Sequence, residues 1–249
     1  MTVSSKTAFE LEHCQSVYVA GLCSLSFTQL KQNMAAHVFV ARASTGRLYF
    51  PGASTTDGVA DEQRRISVRC ALGRGGVISA DLKREGDGCS PIGVWPLRRF
   101  LVRADRLPSL LASGHSIADS SAPTPASQLL PDECALARQC ALPVAALRRD
   151  AGWCDDANDA QHYNRAVTLP HSSSCEALWR DEDAVYDIIG ILGHNDDPAP
   201  LPGRGSAIFL HVATGDYVPT AGCVAVALPD LLALMAAARG DSCVEIRAD

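Results

Sequence analysis

Glycine and proline punctuate this chain so often that long helices have little room. Nineteen glycines and 14 prolines fall along 249 residues, and between them stand short apolar runs of strand length. His37 to Ala41, Gly46 to Phe50, Ile66 to Leu72, Gly76 to Ser79 and Arg98 to Val102 are such runs. They are rich in the side chains that suit a half-buried pleated surface. Ala184 to Leu192, broken only by Asp187, reads as a buried strand, with Ser206 to Val212 and Cys223 to Ala227 as two more. Apolar residues make up 47% of the chain and charged residues 20%, which excludes a largely disordered, collagen-like or coiled-coil protein and allows a sizeable core. The expected fold class is mainly β, a sandwich or barrel with a few short helices.

Two helices are expected. Ser173-Ser174-Cys175-Glu176 has capping-box spacing and predicts a short helix through Trp179. A second runs from Pro229 to Arg239, halted by Gly240, with Leu228, Leu231, Leu232 and Met235 on one face. The Ala-, Ser- and Pro-rich stretch 112–138 offers no core face and reads as a surface insertion. Residues 1–33 read as an N-terminal extension, either a helix packed on the domain or a segment ahead of a functional start at Met34. One domain over 34–240 and a C-terminal tail over 241–249 complete the organisation.

The net charge is −6 with no cluster of Lys and Arg, so nucleic acid is an unlikely partner on electrostatic grounds. No apolar stretch approaches the ~20 residues a transmembrane helix needs. Ser16 to Phe27 could serve as a signal core, but Lys6 is offset by Glu10 and Glu12, so no signal peptide is recognised. The ten cysteines are scattered without CxxC pairs and read mostly as small buried hydrophobes; no zinc and no cofactor are expected.

The chemistry points to one segment. Gly205 to His211 is followed by a polar loop and then by Thr220-Ala221-Gly222-Cys223, and a hairpin-like return would set the His211 imidazole beside the Cys223 thiol. A thiol is a poor nucleophile until it loses its proton, and a nearby imidazolium lowers its pKa. Gly222 permits a tight turn, and the amides of Gly222 and Cys223 could face a developing oxyanion. Taken singly, Cys223 reads rather as a small buried hydrophobe and His211 as a satisfied core histidine.

At these residues the chain resembles the L,D-transpeptidase catalytic domain of the YkuD type, in its proteobacterial branch. The resemblance extends to Gly73-Arg74-Gly75-Gly76, to Lys83-Arg84-Glu85-Gly86-Asp87-Gly88 with Pro91-Ile92-Gly93 and Pro96-Leu97-Arg98, and to Gly152-Trp153-Cys154-Asp155-Asp156. It continues through Tyr163-Asn164-Arg165 and Asn195-Asp196-Asp197-Pro198. It implies a bent β-sandwich and a cysteine that attacks the carbonyl following the L-centre of a diamino acid in a peptidoglycan stem peptide. D-Ala leaves, and an amine of a second stem takes the acyl group from the thioester; water in its place gives carboxypeptidase activity. By position Cys223 is the nucleophile, His211 the base and Gly222 part of the oxyanion hole. Tyr163, Asn164, Arg165, Asn195 and Thr220 are the expected substrate contacts, although Tyr163 and Asn164 also suit local packing. A backbone carbonyl within Thr220 to Gly222 would orient the imidazole.

The sequence departs from the family at Ala221, where a His is usual, and at Ala225, where an Arg is usual; Arg165 or Arg204 would have to replace that Arg. Ser90 stands where Thr is common. Cys154, between Trp153 and two carboxylates, is a rival nucleophile whose pKa would be raised, and it reads as structural. The pairs Asp155-Asp156 and Asp196-Asp197, with His162 and His194, suggest either turn hydrogen bonding or a divalent cation. A binding-only peptidoglycan module and a metal hydrolase built on the Asp pairs are therefore the rival functions. The substrate implies the cell envelope or periplasm, while the lack of a recognised export signal leaves the cytoplasm open. Oligomeric state is undetermined by the sequence.

Overall fold

A computed structural model describes residues 37–51, 65–107 and 139–249. The N-terminal extension 1–33, the start at Met34 and the surface insertion 112–138 lie outside the described residues. The strands in chain order are β1 (Val38–Arg42), β2 (Arg47–Pro51), β3 (Arg65–Ala71), β4 (Val77–Ser79), β5 (Ser90–Val102), β6 (Val144–Ala146) and β7 (Ala151–Cys154). They continue with β8 (Ala166–Thr168), β9 (Cys175–Ala177), β10 (Ile188–Leu192), β11 (Phe209–Val212), β12 (Val224–Val226) and β13 (Cys243–Arg247). Among the described residues one helix, α1 (Leu228–Ala237), lies between β12 and β13.

The chain is mainly β, as its punctuation predicts. Its large sheet runs β10-β11-β12-β3-β2-β1-β13-β5 and closes through a further pairing of β5 with β10, with β4 and β6 attached to β5. The result is a closed, barrel-like sheet rather than specifically a sandwich. A second sheet, β8-β7-β9, stands apart. Side chains alternate across a strand, and two apolar clusters follow from that. Leu210, Val212, Val224 and Val226 join Phe39, Leu48, Phe100, Ile246 and the buried Leu231, Leu232, Leu234 and Met235 of α1 in the main core. Phe209 and Cys223, with Ile189 and Ile191 of β10, point the other way and pack with Trp153, Leu178 and Tyr186 from the region of the small sheet. Strand β10 is buried at all five positions, which is why its sequence is continuously apolar rather than alternating. Each fully buried Leu or Ile in these clusters contributes roughly 2 kcal/mol of transfer free energy.

The expected helix 229–239 forms as α1, with Pro at its first turn and no side-chain cap. The capping-box helix does not form: Cys175–Ala177 is β9, antiparallel to β7. Its two capping side chains are engaged elsewhere, Ser173 Oγ donating to Asp159 Oδ2 at 2.7 Å and Glu176 Oε1 accepting from Tyr186 at 2.5 Å. The run from Ala184 becomes a strand only from Ile188, because Asp183 Oδ1 caps the Val185 amide in a turn. Strand β5 begins eight residues earlier than Arg98, at Ser90. Pro96 fits because β5 there leaves its pairing with β13 and takes up β10 from Leu97 onward. The Asp-Gly of the 83–88 tract makes a turn but no hairpin, since β4 and β5 pair in parallel. The C-terminal tail is also corrected: β13 lies between β1 and β5, so these last residues are integral to the barrel. No helix among the described residues is long and apolar enough to cross a membrane.

Candidate active site

Strands β11 and β12 pair in parallel, with His211 opposite Ala225. Two residues before Ala225, Cys223 therefore projects from the same face as His211. Both line one cavity of about 340 Å³ on the outer side of the barrel. The hairpin-like return is corrected to a crossover. After Val212 the chain runs back, Thr220 docks on Gly73 in an isolated bridge, and its amide and carbonyl bond Leu72 O at 2.9 Å and Arg74 N at 2.8 Å. The chain then turns through Gly222 into β12.

The His211 ring holds its Nδ1 2.9 Å from Val212 O. A carbonyl only accepts, so Nδ1 carries the proton and Nε2 the lone pair. The orienting carbonyl is thus Val212, not one within Thr220 to Gly222. Tyr186 stands edge-on to the imidazole, ring centroids 5.5 Å apart. Burial holds the His211 pKa down at about 4, and the Arg180 charge lowers it further against the Val212 hydrogen bond. The Cys223 thiol donates to Ala207 O at 3.2 Å, and its sulfur accepts the Phe209 amide at 3.3 Å. Burial pushes that thiol up to about 12, with the Phe209 amide opposing. The expected imidazolium-lowered thiolate is therefore reversed: at neutral pH the resting site holds a neutral thiol and a neutral imidazole with a free lone pair.

Gly222 has φ +143°, and a Cβ there would stand 2.9 Å from Cys89 O; backbone approaches so closely that only glycine fits. Its amide donates to Thr220 Oγ1 at 3.1 Å, and that hydroxyl donates to Cys223 O at 2.7 Å. Thr220 thus fixes the turn that presents the cysteine, and the Gly222 amide is not free to meet an oxyanion. Ser90 Oγ accepts the Gly73 amide at 2.9 Å and reaches Cys223 O at 3.5 Å, so the hydroxyl at this position ties β5 to the same turn.

Of the five expected substrate contacts only Thr220 lines the cavity. Tyr163 is buried and donates to Glu85 Oε2 at 2.5 Å, which holds a cavity-lining carboxylate in place. Asn164 is buried at φ +53°. Its Oδ1 accepts Trp153 Nε1 at 2.9 Å and Ala207 N at 3.1 Å, while Nδ2 donates to His194 O at 3.0 Å and Asn195 O at 2.8 Å. It positions Ala207, the partner of the Cys223 thiol. Arg165 donates to Asp196 O at 3.1 Å, and Asn195 closes a turn through Leu201 and Gly205. Arg204 bonds Asp81 O, and neither Arg165 nor Arg204 lines the cavity.

The charges that do line the cavity are Arg180, Glu176, Lys83, Glu85, Asp155 and Arg74. Arg180 lies over the Tyr186 ring at 4.4 Å and donates to Glu176 Oε1 at 2.9 Å. Tyr186, beside an apolar run, and Glu176, inside an apparent capping box, carried no separate signal of this role in the sequence. Lys83 is buried and donates to Asp87 and to Arg84 O. Asp155 Oδ1 is a buried acceptor on the cavity wall without a protein partner.

The two acidic pairs are not brought together. Asp196 pairs with Arg98 at 3.0 Å, Asp156 closes an Asx turn onto Asn158, and His194 Nε2 donates to Arg204 O at 3.1 Å. Cys154 is fully buried in β7 and does not line the cavity. A different trio, Asp159, His162 and His171, brings ligand-type atoms within 4.8 Å of one another and could hold a divalent cation. It lies in a shallow cleft beside β8, apart from Cys223. Comparison of the chain with protein-family models, with curated proteins and with solved structures gave no match.

Proposed function

We propose that the chain is a cysteine acyltransferase of the L,D-transpeptidase type, acting on peptidoglycan stem peptides in the cell envelope. The observation that carries this reading is a cavity whose wall presents a cysteine and, from the same face of the adjacent strand, an imidazole fixed with its lone pair on Nε2. The motif resemblance supports the substrate class. In the reaction the Cys223 proton leaves Ala207 O for His211 Nε2 as sulfur attacks the substrate carbonyl. The Nδ1–H bond to Val212 holds the imidazolium that forms. With the Gly222 amide committed to Thr220, the oxyanion role falls to the Cys223 amide. Collapse breaks the C–N bond to D-Ala, whose amine takes the proton back from His211, and leaves a thioester. The acceptor amine then adds while His211 removes its proton, and the thiol is restored; water as acceptor gives hydrolysis. Arg180 takes the D-Ala carboxylate in place of the family Arg missing at Ala225, and Asp155 accepts from a substrate ammonium.

Mass spectrometry of purified protein incubated with disaccharide tetrapeptide tests this. The expected products are free D-Ala and a cross-linked dimer, both abolished by Cys223→Ala. Arg180→Gln should raise KM by roughly 10–100-fold, the worth of a charged hydrogen bond. Folded wild-type protein that yields neither product refutes the enzyme reading. The raised thiol pKa favours a second reading, a binding-only peptidoglycan module, which predicts binding of the tetrapeptide without D-Ala release.

A further inference from the structure

We infer that Cys154 and Cys175 form a cross-strand disulfide that staples the small sheet from behind the site wall. The two residues face each other directly in the antiparallel pair β7–β9. The Asp155 amide donates to Ser174 O at 3.3 Å and the Leu178 amide to Ala151 O at 3.0 Å. Those bonds flank the Cys154–Cys175 and Gly152–Ala177 pairs, so both are non-hydrogen-bonded pairs, the class in which opposed Cα atoms approach to about 4.5 Å and side chains lie closest. That spacing falls inside the window a disulfide requires, about 4.4–6.8 Å.

The faces of the sheet give the bond its consequence. Trp153 packs against the barrel and Glu176 opposite it lines the cavity, so their neighbours Cys154 and Cys175 project to the opposite face of the small sheet. Asp155 and Glu176, each adjacent to one cysteine, both line the cavity. A cross-link would fix the spacing of these two carboxylates without touching Cys223.

The oxidant required is a low-molecular-weight disulfide such as oxidised glutathione. Cys175, the half-buried member, attacks it to give a mixed disulfide and one glutathione thiol. The Cys154 thiolate then displaces the second glutathione, so two protons and two electrons pass to the two glutathione thiols. This inference does not depend on what the cavity catalyses.

Wild-type protein held folded with excess oxidised glutathione, then alkylated in denaturant and digested without reduction, decides it by mass spectrometry. The expected result is a linked peptide pair containing Cys154 and Cys175, two hydrogens lighter than the separate thiols. The melting temperature should rise by roughly 5–10 °C, reversed by reductant. Cys175→Ser should remove both changes. Alkylation of both thiols after oxidation, or a link from Cys154 to any other cysteine, overturns the inference even if the variant fails to fold. Cys223 is scored in the same digest, and its alkylation state bears only on the nucleophile.

Discussion

Four hydrogen bonds converge on the Asn164 carboxamide, and its backbone sits at a positive φ that Asn tolerates better than most residues. Asn164→Ala would strand the buried Trp153 indole and the Ala207 amide together. It should lower stability by about 3 kcal/mol in urea unfolding and, through the displaced Ala207 carbonyl, change how the Cys223 thiol is held. Tyr163, Asn164 and Arg165 look like site residues in the sequence because polar residues in a loop give no sign of where their partners lie. Only the fold shows those partners to be Glu85, Ala207 and Asp196. That His211 and Cys223 share one cavity follows from a parallel crossover between β11 and β12, which their spacing along the chain does not show.

Two buried imidazoles set the pH response. His211 and His194 are both held by burial at about 4, below the ordinary 6.5. As pH falls through 6.5 the unfolded chain therefore takes up protons before the folded one does. The stability contribution is complete above about pH 6.5 and is lost between 6.5 and 4, on the order of 3 kcal/mol per imidazole at most. Urea midpoints at pH 7, 5.5 and 4.5 should fall accordingly, and His211→Gln or His194→Gln should each flatten the slope. On the acyltransferase reading the acid limb of kcat/KM should likewise lie nearer pH 4 than 6.5.

At the scale of elements, β13 is the most consequential correction. Its residues pair with β1 on one side, Val38 opposite Cys243, and with β5 on the other, Trp95 opposite Val244. Ending the chain at Gly240 would open one edge of β1 and one of β5 and remove the buried Val244 and Ile246. Such a truncation should show no cooperative thermal transition, whereas a loose tail would be removable without effect. Cys243 to Arg247 alternates buried Val244 and Ile246 with half-buried neighbours over only five residues, too short a pattern to stand out, which is why it reads as a tail. The short strands β6, β7 and β8 are not legible in the sequence for a related reason: three or four residues are too few for periodicity to register, and the equally short β4, β11 and β12 stand out only as parts of longer apolar runs. The capping box failed differently, since local capping competes with partners across a sheet and here the sheet prevails.

For the whole molecule, the β-rich class could be read from punctuation and run length, but closure of the sheet could not, because it depends on β5 changing partners along its length. That closure separates two tasks. The inner face carries the main apolar core, and the outer face of β10 to β12 carries the candidate site against the small sheet. Closure also joins the first described strand to the last. Translation delivers a chain from its N-terminus at about 5–20 residues per second, so β1 and β5 must wait, unpaired on their facing edges, until β13 is made. Local hairpins such as β1–β2 and β2–β3 can form early, yet the pairing that seals the barrel spans nearly the whole described chain. Its loop-closure entropy makes it a slow step. During that interval the nascent protein presents open sheet edges, the surface on which one chain pairs with another or with a chaperone.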